Sequence, residues 1–194
     1  MLLSSTLLMN HNSYRSWKVL SWNVRGINAE WKWNAVRNKI LQCGYDIFCL
    51  QETKKECFDI SFLRKFNPNC FDCFDFLPSI GASGGILVAW KSSCFRGEKV
   101  SFNDFNISFD FSSAHNNVSW LLTCVYGPCT PEGKLLFLDW MKGIQIPDEV
   151  DWLLLGDFNL FRKPEDRNRD GGNLNEMLLF NEAISSLGLN EIVL

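Results

Sequence analysis

Residues 17–53 limit the possible folds of this chain more than any other stretch. Residues 17–24 read as a strand, and residues 31–43 carry Trp33, Val36 and Ile40 at helical spacing. Gly44 follows as the residue that closes the helix. Residues 46–50 read as a strand, Asp46 followed by the continuous apolar run Ile47-Phe48-Cys49-Leu50. A strand with no polar alternation is buried on both faces, so strand, helix and apolar strand predict a βαβ unit with parallel strands. That geometry puts Asn23 and Glu52 at the same end of neighbouring strands.

A second apolar run, Leu153-Leu154-Leu155, ends in Gly156-Asp157-Phe158-Asn159. Residues two apart on an extended backbone share a side, so Asp157 and Asn159 project together from the carboxyl end of a strand. Open α/β sheets bind ligands there. A lone Gly-Asp-x-Asn is also what an Asx turn closing an ordinary strand looks like, so its meaning depends on partners.

Between these landmarks lie a short helix around Phe58, Phe62, Leu63 and Phe66 and an aromatic strand over residues 70–77. A Gly/Ser/Ala loop is predicted over residues 79–85, followed by a buried strand over residues 86–90. Residues 100–102, 106–111 and 118–126 read as further strands, the last stopped by Gly127-Pro128. Thr130-Pro131 starts a helix carrying Leu135, Leu138 and Met141. Asn173 and Glu176 start another, with Met177, Phe180, Ile184 and Leu187 on one face. Residues 189–194 begin an apolar strand. Several strands in a row bracketed by helices predict an α/β fold with at least two sheet regions in one domain, residues 17–194.

Composition excludes some classes. With 46% hydrophobic residues, including 16 Phe and 8 Trp, the chain supports a large aromatic core. The net charge of -3 gives no global pull toward nucleic acid, so such binding needs a local basic patch. Arg162, Lys163, Arg167 and Arg169 form one candidate patch after Asp157, although Glu165, Asp166 and Asp170 interleave with it and a self-paired loop fits equally. Of the 8 cysteines, several sit in strand-like runs as small hydrophobes, and Cys70-x-x-Cys73 has no matching second pair for zinc. A reduced compartment, nuclear or cytoplasmic, is expected. No run is long enough to span a membrane, and residues 1–16 read as a poorly ordered extension.

Four strand ends thus carry Asn23, Glu52, Tyr126 and the pair Asp157 and Asn159. Oxygen donors of this kind suit Mg²⁺ or Mn²⁺. Asp157 can orient or deprotonate a water, Tyr126 can reach a phosphate oxygen, and the two amides can hydrogen-bond without adding charge. Each residue also has an ordinary reading: a polar strand terminus for Glu52, a turn former for Asn23, a core ring for Tyr126.

Ser21-Trp22-Asn23-Val24-Arg25-Gly26, Leu50-Gln51-Glu52-Thr53, Val125-Tyr126-Gly127-Pro128 and Gly156-Asp157-Phe158-Asn159, in this order, resemble the endonuclease/exonuclease/phosphatase superfamily, the fold of DNase I and the abasic-site endonucleases. Ser83-Gly84-Gly85-Ile86-Leu87-Val88-Ala89-Trp90 and the run from Asp157 through Asn173 to Ile184 resemble the endonuclease domain of plant-type LINE retroelements. The resemblance implies a four-layer α/β sandwich and divalent-metal hydrolysis of DNA phosphodiesters, with no small-molecule cofactor. It implies Glu52 as metal ligand, Asn23 beside metal and phosphate, Tyr126 on the phosphate, Asp157 on the attacking water and Asn159 on the phosphate or transition state. A reverse transcriptase domain is the implied partner in a full-length element.

Two departures matter. Arg25 stands where abasic-site enzymes usually carry Asp, which favours the retroelement branch. The family's C-terminal Ser-Asp-His-type motif has no counterpart after Asp157, the only histidines being His11 and His115. The expectation is a chain cut before its final strands, impaired in catalysis, with an open sheet edge and marginal stability. The alternatives are a non-catalytic remnant that binds nucleic acid weakly, and a phosphatase acting on a phosphorylated small molecule or lipid.

Overall fold

The computed structural model describes residues 2–4, 17–81, 83–116, 118–145, 150–166 and 173–192. In chain order the elements are β1 (Leu2–Ser4), β2 (Val19–Asn23), α1 (Glu30–Cys43), β3 (Ile47–Gln51), α2 (Ile60–Leu63), β4 (Cys73–Ile80) and β5 (Ser83–Trp90). There follow β6 (Phe95–Phe102), β7 (Asn106–Ser113), β8 (Ser119–Tyr126), α3 (Pro131–Lys142), β9 (Trp152–Asp157), α4 (Leu174–Ser186) and β10 (Asn190–Glu191).

The strands make two sheets, one ordered β2-β3-β5-β4 and the other β10-β1-β9-β8-β7-β6. The βαβ prediction holds: β2 and β3 are parallel, with Asn23 opposite Gln51. The second parallel pair is β8 and β9, with Tyr126 opposite Asp157. Both pairs therefore deliver polar residues from their carboxyl ends.

Three buried clusters give the four layers. The sheets meet through Ile47, Cys49, Ile86 and Val88 on one side and Ile107, Phe109, Leu122 and Cys124 on the other. Aromatic rings fill this interface, as in Trp90 against Phe109 at 5.4 Å and Phe111 against Trp120 at 5.3 Å between centroids. Helices α1 and α2 cover the outer face of the smaller sheet, with Val36, Ile40, Leu63 and Phe66 packed on Phe48 and Leu50. Helices α3 and α4 cover part of the larger sheet through Phe137, Met141, Phe180 and Ile184. The periodicity of these apolar residues is the reason the segments are helices, and their caps start where expected. Thr130 Oγ1 accepts from Gly133 N at 3.2 Å, and Asn173 Oδ1 accepts from Asn175 N and Glu176 N at 3.0 and 3.3 Å.

Two expectations need correction. Residues 79–85 are not a loop: Ser79 pairs with Gly84 and Ile80 with Ser83, so β4 and β5 form a hairpin. The glycines are there because another strand end lies against them, as described below. The extension at residues 1–16 supplies a strand, since Leu3 pairs with Leu154 of β9 and with Glu191 of β10. An edge of unpaired N–H and C=O groups accepts any extended segment, and β1 lies on the edge of β9, with β10 beyond it at the end of the sheet. Residues 1 and 5–16 lie outside the described residues.

Candidate active site

The carboxyl ends of β2, β3, β8 and β9 converge on one mouth, and the backbone there is built to hold them. Val24 N donates to Gln51 O at 3.0 Å, Gly26 N to Glu52 O at 2.6 Å and Ile27 N to Thr53 O at 3.1 Å, so the pairing of β2 with β3 continues past both strands. Thr53 N and Lys54 N donate to Gly85 O and Gly84 O, each at 3.1 Å, which extends the pairing to β5. Gly85 has φ +86°, and a Cβ there would strike Thr53 Oγ1. That close approach, rather than loop flexibility, explains the Ser-Gly-Gly sequence, and it sets the position of Glu52. On the other sheet, Gly127 N donates to Asp157 O at 2.7 Å. A Cβ on Gly156, at φ +140°, would strike Val125 O, so only glycine brings β9 this close to β8.

All four non-glycine residues with positive φ among the described residues lie at this mouth: Arg25 at 49°, Glu52 at 53°, Lys54 at 55° and Asn159 at 50°. Each costs roughly 1–3 kcal/mol and persists only where the surroundings enforce it. Such strain concentrates at functional sites.

The predicted residues fall into two touching groups. Asn23 Nδ2, from the smaller sheet, donates to Asp157 Oδ2, from the larger, at 2.6 Å. Asn23 Oδ1 accepts from Arg25 N at 2.9 Å, which fixes the orientation of the amide. Asp157 Oδ1 accepts from Asn159 N at 3.1 Å. Asn159 Nδ2 donates to Gly127 O at 2.6 Å, tying the loop after β9 to the end of β8. In the second group, Glu52 pairs with Lys54 Nζ at 3.1 Å, and its charge acts on the Tyr126 phenol. Burial first, then the charges of Glu52, Cys129 and Asp157, push the Tyr126 phenol far above its ordinary value. Tyr126 therefore stays protonated and able to donate.

The sequence missed three participants. Gln51 is 1% exposed. It bridges the sheets beneath the mouth through Nε2, donating to Ser21 Oγ at 3.2 Å and Cys124 Sγ at 3.1 Å. Its signal was available, as the one amide in an otherwise apolar strand. Lys32 Nζ donates to the carbonyls of Val24, Arg25 and Gly26, and Lys54 reaches back to Glu52. Neither contact can be read from spacing.

The expected basic patch is divided. Arg162 is tied into the fold, with Nε donating to Asn181 Oδ1 at 3.0 Å and Nη1 to Glu191 Oε2 at 2.9 Å. Lys163 N donates to Asp166 Oδ2 at 3.0 Å. Arg167 and Arg169 lie outside the described residues.

A divalent ion would meet oxygen donors here. Among the described residues no group of three or more His, Cys, Asp or Glu is arranged to hold a metal. Mg²⁺ needs no such cage, because it binds through one or two carboxylates, waters and substrate phosphate. Glu52, just past the end of β3, and Asp157, at the end of β9, supply carboxylates for that mode.

With this arrangement in view, similarity to known proteins becomes informative. The chain belongs to the endonuclease/exonuclease/phosphatase family, whose model matches residues 20–177. No curated protein sequence is significantly similar to it. Among solved structures it resembles the AP endonuclease LMAP from Leishmania major, with TM-score 0.63 and 16% identity over 88% of this chain and 66% of that one. It also resembles an AP endonuclease from Archaeoglobus fulgidus, with TM-score 0.63 and 19% identity over 88% of this chain and 70% of that one. The human Nocturnin catalytic domain, solved with bound sulfate, gives TM-score 0.59 and 16% identity over 88% and 69%. At these identities the likeness establishes the fold, and the chain spans about two thirds of the length of these structures.

Proposed function

We propose that this chain carries the phosphodiesterase site of a DNA endonuclease of retroelement type. The observation that carries this reading is the 2.6 Å bond from Asn23 to Asp157, which joins the two sheets at a carboxylate. Two donors, the Asn23 amide and the Asn159 N–H, orient that carboxylate and leave lone pairs for an attacking water. Asp157 is the group that orients the water and takes its proton. The water oxygen bonds to phosphorus, the ester P–O bond breaks, and the products are a terminal phosphate and a hydroxyl. Tyr126, held as a phenol, donates to a phosphate oxygen, and the second amide hydrogen of Asn159 does the same. Glu52, with Asn23 beside it, would hold a divalent ion, which would supply neutralisation of charge on the phosphate oxygens. Lys163, Arg167 and Arg169 are retained as backbone contacts, whereas Arg162 serves the fold first. The Ser83–Trp90 strand and the run from Asp157 to Ile184 support the retroelement branch, with a reverse transcriptase domain as covalent neighbour in the full element.

The substrate class is tested by assaying Mg²⁺-dependent nicking of supercoiled plasmid beside hydrolysis of a small phosphomonoester. Nicking without monoester turnover is expected. Monoester turnover without nicking would transfer the site to the phosphatase branch, and neither activity would leave a non-catalytic remnant.

A further inference from the structure

We infer that Arg25 and Lys54 form a phosphate-recognition wall at this mouth, engaging backbone phosphates beside the scissile one and selecting a polynucleotide strand over an isolated phosphate. The inference rests on the phosphodiesterase reading above and names the residues that give it substrate selectivity.

Glu52 and Asp157 place two carboxylates where a phosphate anion must enter, in a chain whose net charge is already -3. Favourable entry requires local cations. Three basic residues gather on the turn after β2, the first turn of α1 and the segment after β3: Arg25, Lys32 and Lys54.

Lys32 is already engaged. Its ammonium has three N–H groups, and three backbone carbonyls, those of Val24, Arg25 and Gly26, accept from it. Lys32 thus braces the left-handed turn and has no donor left for substrate. Lys55 is turned aside, with Nζ 4.4 Å from the Phe62 ring centroid.

Arg25 and Lys54 differ from both. Arg25 is exposed, and its guanidinium forms no ion pair or hydrogen bond among the described residues. Its backbone is nevertheless held at a costly φ of 49° by the Asn23 Oδ1 contact and by Lys32. Lys54, at φ 55°, has its backbone pinned to Gly84 and Asn28. Its stem lies against Gly26, with Cδ 3.4 Å from where a Cβ would stand. Its ammonium is 3.1 Å from Glu52 and keeps two further N–H groups. Two cationic side chains are therefore presented from strained, over-determined backbone on either side of Gly26. A guanidinium recognises phosphate bidentately and an ammonium as a point charge, so together they suit successive phosphates of a strand.

Binding of a short duplex oligonucleotide, followed by fluorescence anisotropy over a salt series in the Asp157→Ala background, tests this. Arg25→Asn and Lys54→Asn keep a residue type that tolerates positive φ. Each is expected to weaken binding and to reduce the slope of log K against log salt by about 0.9, the value for one lost duplex phosphate contact. Lys142→Gln, which removes a charge paired with Glu182 on the far helix, is expected to leave the slope unchanged. Arg25→Lys is expected to keep the slope while lowering affinity, because charge survives and the bidentate fork does not. Unchanged slopes for both Asn variants, in proteins that melt like the parent, would overturn the inference alone. A parent that binds no DNA would remove the phosphodiesterase reading, and the inference with it.

Discussion

Asn23→Ala is the most informative perturbation of the proposed site, because it removes one bond between the sheets and no charge. Asn23 Nδ2 donates to Asp157 Oδ2 at 2.6 Å, and Asn159 N is the second donor to that carboxylate. A hydrogen bond to an ionised group contributes about 1.5–3 kcal/mol. If that energy orients Asp157 toward water, its loss lowers kcat roughly 10- to 150-fold at about 1.4 kcal/mol per factor of ten. The assay is plasmid nicking with saturating Mg²⁺, with kcat separated from KM, beside a thermal melt. The double variant Asn23→Ala, Asp157→Ala is expected to be no slower than Asp157→Ala alone, since Asn23 acts through Asp157. A kcat within twofold of the parent, or additive losses in the double variant, would refute the positioning role.

Three further outcomes follow from the structure. Gly85→Ala places a methyl against Thr53 and forces alanine to φ +86°, so it is expected to cost more than the roughly 1–2 kcal/mol of left-handed backbone alone, read as a lower urea midpoint with unchanged slope. The raised Tyr126 phenol stabilises the native chain fully below about pH 10, and that contribution fades as pH climbs toward the folded-state value; the stability difference between parent and Tyr126→Phe is therefore expected to shrink under alkaline denaturation. Thiol titration of the native chain is expected to modify the exposed Cys43, Cys57, Cys70 and Cys129 rapidly, while Cys49, whose thiol burial holds protonated, and the buried Cys94 and Cys124 react only on unfolding.

Much of this architecture was legible because strand ends are legible. Apolar runs that stop at Asn23, Glu52, Tyr126 and Asp157 announce where a sheet delivers its polar residues, and parallel pairing puts them on one side. The convergence of Asn23 on Asp157 across 134 residues follows from two βα connections and the face-to-face packing of the sheets. What could not be read was set by close approach. The Gly84-Gly85 pair looks like a loop until residues 53 and 54 are laid against it. Arg162 looks like a free cation until Asn181 and Glu191 arrive from α4 and β10. Leu2–Ser4 is too short for any periodicity to reveal it as a strand, and only the unsatisfied edge of β9 gives it a place.

The central claim is that Asp157, held by Asn23 and Asn159, supplies phosphodiester hydrolysis at this mouth. Its most direct test is the rate at which the purified chain nicks supercoiled plasmid in Mg²⁺, measured beside Asp157→Ala prepared in parallel and checked for an equal melting temperature. Nicking by the parent and a loss of about two orders of magnitude or more in the variant are expected. Equal rates for the two proteins would contradict the claim.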